Sequence, residues 1–332
     1  MTNCKNIPLV TIAIPTYNRA DTYLRHSLSA AVNQTYPNIE IIVSDNCSTD
    51  HTEMLVKEFN DPRIRYIKHK NNIGANNNFN FCLEQARGEY VLLLQDDDLI
   101  DNDFIETCIN ASNGSTEIGI LRTGFRTIDS EGNVLHEKQN MGAGLSTEDF
   151  ILALLSRKVS MLLCSTLMNT KKLIEIGGLN SKYQRWQDVL AEIKLAAKYG
   201  RVDVPEIKAS FRIHPSQMTF NVDIKSWCED ALILLHTMCR LCPKNKDLIR
   251  QKGMQYFARH SYDMASHIMP RAKRLTAYWI VFKRFQYRHI PPSLSRFLKS
   301  PSSSIIELIS HTPLYYPLRS IKRKINDAGS NG

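Results

Sequence analysis

Through the first hundred residues, apolar positions come in short β-branched runs at 10–14, 39–43, 63–68 and 90–94, each of strand length. Between them, 20–33, 52–59 and 76–86 space their apolar residues at helical intervals. Strands alternating with helices of this length imply right-handed βαβ crossovers, so the predicted fold class is α/β with a mostly parallel, Rossmann-like sheet flanked by helices. Further on, a strand pair is expected at 118–129 and 134–139 about the turn 130–133. A helix capped by Ser146 or Thr147 should follow, then a buried strand at 161–168, a helix at 188–198 stopped by Gly200, and a last strand at 207–213. From Ile224 the pattern is helical only, broken at Pro243, Pro270 and Pro291-Pro292, which divides the chain into 1–222 and a helical 223–332.

Composition changes this picture in two ways. Of 332 residues, 43% are hydrophobic, enough for a sizeable core, and no repeat or biased tract suggests a fibre, solenoid or disordered chain. The net charge of +9 is unevenly placed: residues 229–332 hold 18 Lys and Arg against 6 Asp and Glu, so the first two thirds are slightly acidic. No nucleic-acid partner is therefore expected for the larger part. In the tail, Arg271, Lys273, Arg274, Lys283, Arg284 and Arg288 interleave with Tyr278, Trp279, Phe282 and Phe285. That pattern fits a helix resting on an anionic membrane surface, or a basic bundle that packs its aromatics on the rest of the protein.

The eight cysteines (4, 47, 82, 108, 164, 228, 239 and 242) lie mostly in apolar stretches and suggest a reducing compartment; the Cys239/Cys242 pair has no second pair near it and reads as two helix residues. The N-terminus lacks a secretory pattern, and the longest apolar stretch, 151–168, is interrupted by Arg157 and Lys158, so no membrane span is expected. The expected location is cytoplasmic, with the tail peripheral on the inner face of the plasma membrane.

In a parallel sheet, ligands bind beyond the carboxyl ends of the strands. Here those ends deliver Pro15-Thr16-Tyr17-Asn18-Arg19, Ser44-Asp45-Asn46-Cys47-Ser48-Thr49-Asp50, Asn71-Asn72-Ile73-Gly74 and Gln95-Asp96-Asp97-Asp98 to one edge. Three successive carboxylates repel one another unless they share a cation, and an all-oxygen set suits Mg²⁺ or Mn²⁺. The bland alternative is a solvated acidic loop before the helix near Asp103. Asp45, at the same edge, is suited to accept from the ring N–H of a nucleobase. Together they describe a nucleotide with its diphosphate on a metal, without the glycine loops of GxGxxG or Walker A sequences. Asp188 opens a helix beyond Gly177-Gly178; such an acid either takes a proton from an attacking hydroxyl or stabilises the helix dipole. Trp186 either stacks on a sugar or fills core.

The motifs PTYNR, SDNCSTDHT, NNIG, GEYVLLLQDDD, IGGLNSKYQRWQD and RIHPSQMT, in that order, resemble the inverting glycosyltransferases of family 2, with the GT-A fold, over residues 8 to about 220. The resemblance implies Pro15, Thr16, Tyr17 and Arg19 around the nucleotide, Asp45 on its base, Asp96 and Asp97 at the ribose and metal with Asp98 adjacent, and Asp188 as catalytic base. It also implies His214 of His-Pro-x-x-x-Thr turned toward the metal or diphosphate, and Trp186 and Gln187 toward the sugar acceptor. Two departures stand out. Gln95 replaces a common acid, leaving the choice of metal ligand between Asp97 and Asp98 open, and Asn76, Asn77, Asn78 and Asn80 occupy a helix where a basic residue is usual.

The activity so implied is transfer from a nucleotide sugar, a UDP-sugar foremost, to a hydroxyl of a saccharide acceptor, lipid-linked or free, in surface polysaccharide synthesis of the O-antigen or capsule kind, with Mn²⁺ or Mg²⁺ as cofactor. Two other classes compete. A sugar-phosphate nucleotidyltransferase would place a Gly-rich basic loop after the first strand, and PTYNR is not one. A non-catalytic carbohydrate- or nucleic-acid-binding protein would leave Asp96, Asp97, Asp98 and Asp188 without a role.

Overall fold

β1 (Val10–Thr16) is buried at every position, which is why VTIAIPT is apolar but for its two threonines: both faces of the strand are covered. Ile12 and Ile14 point into one core cluster and Ala13 into another, so the sheet is the middle layer of three. The computed structural model describes residues 7–215, 217, 223–268 and 270–285. After β1 come α1 (Leu24–Val32), β2 (Ile39–Asp45), α2 (Thr52–Glu58), β3 (Ile64–Lys68), α3 (Ala75–Gln85) and β4 (Tyr90–Leu93), matching the expected alternation. Then follow β5 (Leu99–Ile100), α4 (Phe104–Ala111), β6 (Ile120–Ile128), β7 (Val134–Lys138), α5 (Thr147–Leu155), β8 (Thr166–Asn169), α6 (Thr170–Glu175), α7 (Gln187–Tyr199) and β9 (Arg201–Arg212). The helices α8 (Ile224–Leu241), α9 (Lys246–Ser266) and α10 (Arg271–Arg284) close the described chain.

The strands form one sheet in the order β3-β2-β1-β4-β8-β6-β9-β5, with β7 added on β6. β3, β2, β1 and β4 run parallel to one another, β8 enters antiparallel to β4, and β6 and β9 are again a parallel pair. β1 sends its crossover to β2 on one side while β4 lies on the other. The strand order therefore reverses at β1 and β4, and a crevice opens past their carboxyl ends.

Two expected elements differ from those found. The strand at 161–168 is a 3₁₀ turn, Leu163–Ser165, followed by the shorter β8. The hydroxyls of Ser165 and Thr166 both donate to the Leu162 carbonyl, folding the chain before it can extend. The last strand begins six residues earlier than its apolar run, at Arg201. The polar residues that hid it, Arg201 and Asp203, are buried as an ion pair at 2.7 Å, with Arg122 bonded to the same carboxylate at 2.8 Å.

The helical segment is not an appendage. Trp227, Leu234 and Met238 of α8, Phe257 of α9, Val281 of α10 and Phe285 just past it share one hydrophobic cluster with Phe150 and Leu154 of α5 and Leu190 and Ile193 of α7. Ala277 and Phe282 are buried in it too, whereas Lys273 and Lys283 of α10 stay exposed. Phe282 thus packs inward and Tyr278 and Trp279 lie partly buried against the same cluster, as the bundle alternative expects; Arg288 and the Pro291-Pro292 break lie outside the described residues. No described helix is long and apolar enough to cross a membrane. The seven described cysteines are free thiols, with Cys239 and Cys242 buried at the end of α8.

Candidate functional site

A cavity of about 870 Å³ runs from the crevice at β1 and β4 to the N-terminus of α7. Pro15, Thr16, Tyr17 and Arg19 line one end with Gln95, Asp96 and Asp97; Trp186, Gln187 and Asp188 line the other.

At the first end, β1 and the loop after it are tied to the loop that follows β4. The Thr16 hydroxyl donates to Asp96 Oδ2 at 2.7 Å, and Arg19 Nε lies 4.0 Å from Asp96 Oδ1. Burial, with the charge of Asp97 adding to it, pushes the Asp96 carboxyl up to about 7, against the pull of Thr16, Arg19 and the Tyr17 amide. The loop after β1 is tied to the loop after β2, since Asn18 donates its amide to Ser48 Oγ at 2.9 Å and accepts from the Thr49 amide at 2.9 Å. Asn18 takes a left-handed conformation, φ 51°, that suits asparagine.

The three consecutive aspartates separate in role. Asp97 faces the cavity, with Oδ2 at 2.9 Å from Nε2 of the buried His214, while its carbonyl accepts from Arg212 Nε at 2.8 Å. Asp98 is fully buried and turned away from the cavity; its Oδ1 accepts the Arg212 amide at 2.8 Å, and burial followed by the Asp97 charge drives its carboxyl well up. Of the two candidate metal ligands, only Asp97 therefore reaches the crevice. Asp45 does not reach it either. It is fully buried, with Oδ1 accepting the Ser48 amide at 2.7 Å and Oδ2 the Tyr66 hydroxyl, and Asn46 is the residue of that loop that lines the cavity.

Among the described residues no group of three or more His, Cys, Asp and Glu side chains is arranged around a cation. The fit to a divalent ion is that of two protein ligands, Asp97 Oδ and His214 Nε2, leaving the remaining positions to oxygen atoms of a ligand or water. Burial first, and the neighbouring Asp97 charge second, raise the Asp96 carboxyl, and a cation at Asp97 would relieve the second of these.

At the other end, Asp188 sits in the first turn of α7 with Oδ1 accepting the Val189 amide at 2.8 Å; burial raises its carboxyl and that amide opposes the shift. Glu192, one turn on, is fully buried, pushed up to about 8 by burial, with Asp188 adding to the rise and Arg122, 3.9 Å away, opposing it. Trp186 is 6% exposed, its ring centroid 4.8 Å from Trp227 and 5.2 Å from Phe257. It belongs to the core with one edge on the cavity.

What holds these ends in place was not visible in the motifs. Asp230, buried on α8, accepts the Ser181 hydroxyl and the amides of Tyr183, Arg185 and Trp186, at 3.2, 2.9 and 3.3 Å, and so shapes the loop leading to Asp188. An acid inside the apolar stripe Trp227, Ala231, Leu234 and Met238 was the available signal. The asparagine-rich helix finds its explanation here as well. Asn80 pairs its amide with both the N–H and the carbonyl of Leu179, each at 2.9 Å. Gly178, with φ +68° and an added Cβ that would stand 2.6 Å from Asn80 Oδ1, is what lets the loop approach.

A family model described as glycosyl transferase family 2 matches residues 11–162. A GalNAc(5)-diNAcBac-PP-undecaprenol beta-1,3-glucosyltransferase of Campylobacter jejuni is 31% identical over 177 residues, 51% of this chain and 56% of that one. Chondroitin synthase of Escherichia coli is 34% identical over 138 residues, 41% of this chain and 20% of that one. The chain thus spans between a fifth and little more than half of such relatives. Among solved structures, S. aureus TarS 1-349 in complex with UDP superposes with a TM-score of 0.56 at 15% identity, over 86% of this chain and 94% of that one. The mannosyltransferase PcManGT from Pyrobaculum calidifontis, in complex with GDP-Man and Mn²⁺, does so with a TM-score of 0.54 at 16% identity, over 96% and 84%. The likeness is one of fold.

Proposed function

We propose that this chain, whose residues 11–162 match the model of glycosyl transferase family 2, moves a sugar, with inversion, from a nucleotide sugar to a saccharide hydroxyl. The observation that carries the reading is the pairing of two opposed groups on one cavity: Asp96 and Asp97 at the switch point of the sheet, and Asp188 on α7. We take residues 1–222 as the catalytic unit and the following helices as its acceptor-side wall. A UDP-sugar is the favoured donor and a lipid-linked saccharide a fitting acceptor, in line with the complexes and names of the proteins it resembles.

In this reading Pro15 to Arg19 and Asn46 hold the nucleoside, and Arg19 and Asp96 orient its ribose and diphosphate. Asp97 and His214 would hold Mn²⁺ or Mg²⁺, which when bound offsets the negative charge on a departing diphosphate. Asp188 accepts the proton of the acceptor hydroxyl as its oxygen forms the new bond to the anomeric carbon. The bond to the diphosphate oxygen breaks on the opposite face, and the configuration inverts. Burial of Asp188 raises its basicity for that transfer.

The test is a thermal-unfolding screen of UDP-, GDP- and dTDP-sugars with and without Mn²⁺, followed by donor turnover. Stabilisation by one donor, lost in EDTA and in Asp97→Asn, is expected. A donor that binds and turns over equally well in EDTA would refute the metal role, and a transfer product that retains the donor's configuration would refute Asp188 as the base of a single displacement.

A further inference from the structure

Where β9 ends, the chain stays on the sheet for one more residue: the Ile213 amide donates to the Ile128 carbonyl at 2.8 Å. Side chains of an extended segment alternate between its faces, so Arg212 and His214 share one face. Both are buried, and both lie against Tyr23, the residue just before α1. The Arg212 guanidinium carbon stands 4.7 Å from the centre of the Tyr23 ring, and the His214 ring is centred 4.7 Å from it at a tilt of 47°. A cation and an imidazole thus rest on one aromatic ring.

The same guanidinium fixes main chain on three sides. Its Nε donates to the Asp97 carbonyl at 2.8 Å, and its Nη1 donates to the carbonyls of Asp129 and Ser130, in the turn between β6 and β7, at 3.0 and 3.3 Å. The Arg212 amide holds Asp98 Oδ1 at 2.8 Å, which pins the residue after Asp97 as well. With its own carbonyl and its neighbour held, Asp97 brings Oδ2 to 2.9 Å from His214 Nε2. Charge alone does not account for the residue at 212, because a lysine would keep the charge and lose both the fork and the plane that stacks on Tyr23. We propose that Arg212 is the positioning residue of the Asp97–His214 pair: through the Asp97 carbonyl and the Tyr23 ring it sets carboxylate and imidazole to face each other, so that a divalent ion meets both at once. The inference rests on the reading of Asp97 and His214 as the two protein ligands. Tyr23 then acts through His214 alone, and Arg212 through both.

The probe is Mn²⁺ added to the full chain with whichever of UDP, GDP and dTDP stabilises the wild type most. Electron paramagnetic resonance counts the free ion and detects the nitrogen of a coordinated imidazole. The wild type should show that nitrogen coupling. Arg212→Lys and Tyr23→Leu should bind the ion about 10- to 100-fold more weakly, the usual cost of losing a group behind a metal ligand, and should lose the coupling. Tyr23→Phe keeps the ring and should retain both. Binding of the nucleoside diphosphate without metal, read as a thermal shift, should be the same in all four proteins. Wild-type affinity and coupling in Arg212→Lys and Tyr23→Leu overturn the proposal, and so does an equal fall in metal-free nucleotide binding, which marks a merely structural role. A wild type that binds no ion, or binds it without nitrogen coupling, removes the metal reading and the proposal with it. Coupling that is present in the wild type and kept in the variants removes the role of Arg212 alone and leaves that reading in place.

Discussion

Replacing Asp230 removes the acceptor on which the loop before Asp188 hangs. Three backbone amides and the Ser181 hydroxyl converge on this one carboxylate, which is 1% exposed. Hydrogen bonds to a charged group contribute about 1.5 kcal/mol each at the low end, so all four together approach about 6 kcal/mol. The loop borders a cavity, and water entering it rehydrates part of what Asp230→Ala strands, so a net loss of about 3 kcal/mol is expected. Asp230→Asn separates the effects. Its single carbonyl oxygen can serve Ser181, Arg185 and Trp186 in place of Oδ2, but its amide nitrogen then faces the Tyr183 N–H, and about 1 to 2 kcal/mol should be lost. Urea denaturation of the three proteins gives the stabilities, and limited proteolysis reads cleavage in residues 177–186. Transfer to a saccharide should fall further than donor hydrolysis, because the loop carries Trp186 to the acceptor end. Asp230→Ala with wild-type stability and an uncut loop would refute the reasoning outright.

Three other outcomes follow from the same geometry. Asp188→Asn should lose roughly 10²- to 10⁴-fold in kcat with donor affinity little changed, the scale of a general base, and near wild-type turnover would reduce Asp188 to a helix-terminal acid. Glu192, whose carboxyl is pushed up to about 8 from an ordinary 4.5, binds its proton more tightly in the folded state than in the unfolded one, so it should erode stability as pH rises from 4.5 to 8. Glu192→Gln should flatten that slope in urea titrations at successive pH values; a steeper slope would mean the Arg122 contact dominates. Because Trp279 is partly buried against the helical cluster, Trp279→Ala should lower stability, whereas Lys273→Gln with Lys283→Gln should weaken sedimentation with anionic vesicles at low salt only. Equal sedimentation of that variant and the wild type would remove the membrane role of this face.

What the chain decides by itself is local. The largely apolar runs of β1, β2 and β4 report strands buried at nearly every position, and Ser146 caps α5 through a bond to the Asp149 amide at 3.1 Å, three residues away. The order of the motifs likewise brings Pro15 to Arg19 and the aspartates to one sheet edge, because each follows its strand directly. Which of those side chains faces the cavity is decided at long range. Asp97 and Asp98 are neighbours of one chemistry, and they diverge because Arg212 and His214, more than 110 residues away on β9 and just past it, bring an amide to one and an imidazole to the other. Asp45 sits as the edge pattern expects, yet the hydroxyl of Tyr66 from the adjacent strand turns it inward. Trp186 is held in the core by Trp227 and Phe257, and Asp230 draws the loop before it from a helix the motifs do not reach. Periodicity records whether a position prefers burial; only the packed structure supplies the donor that decides which way a buried carboxylate points.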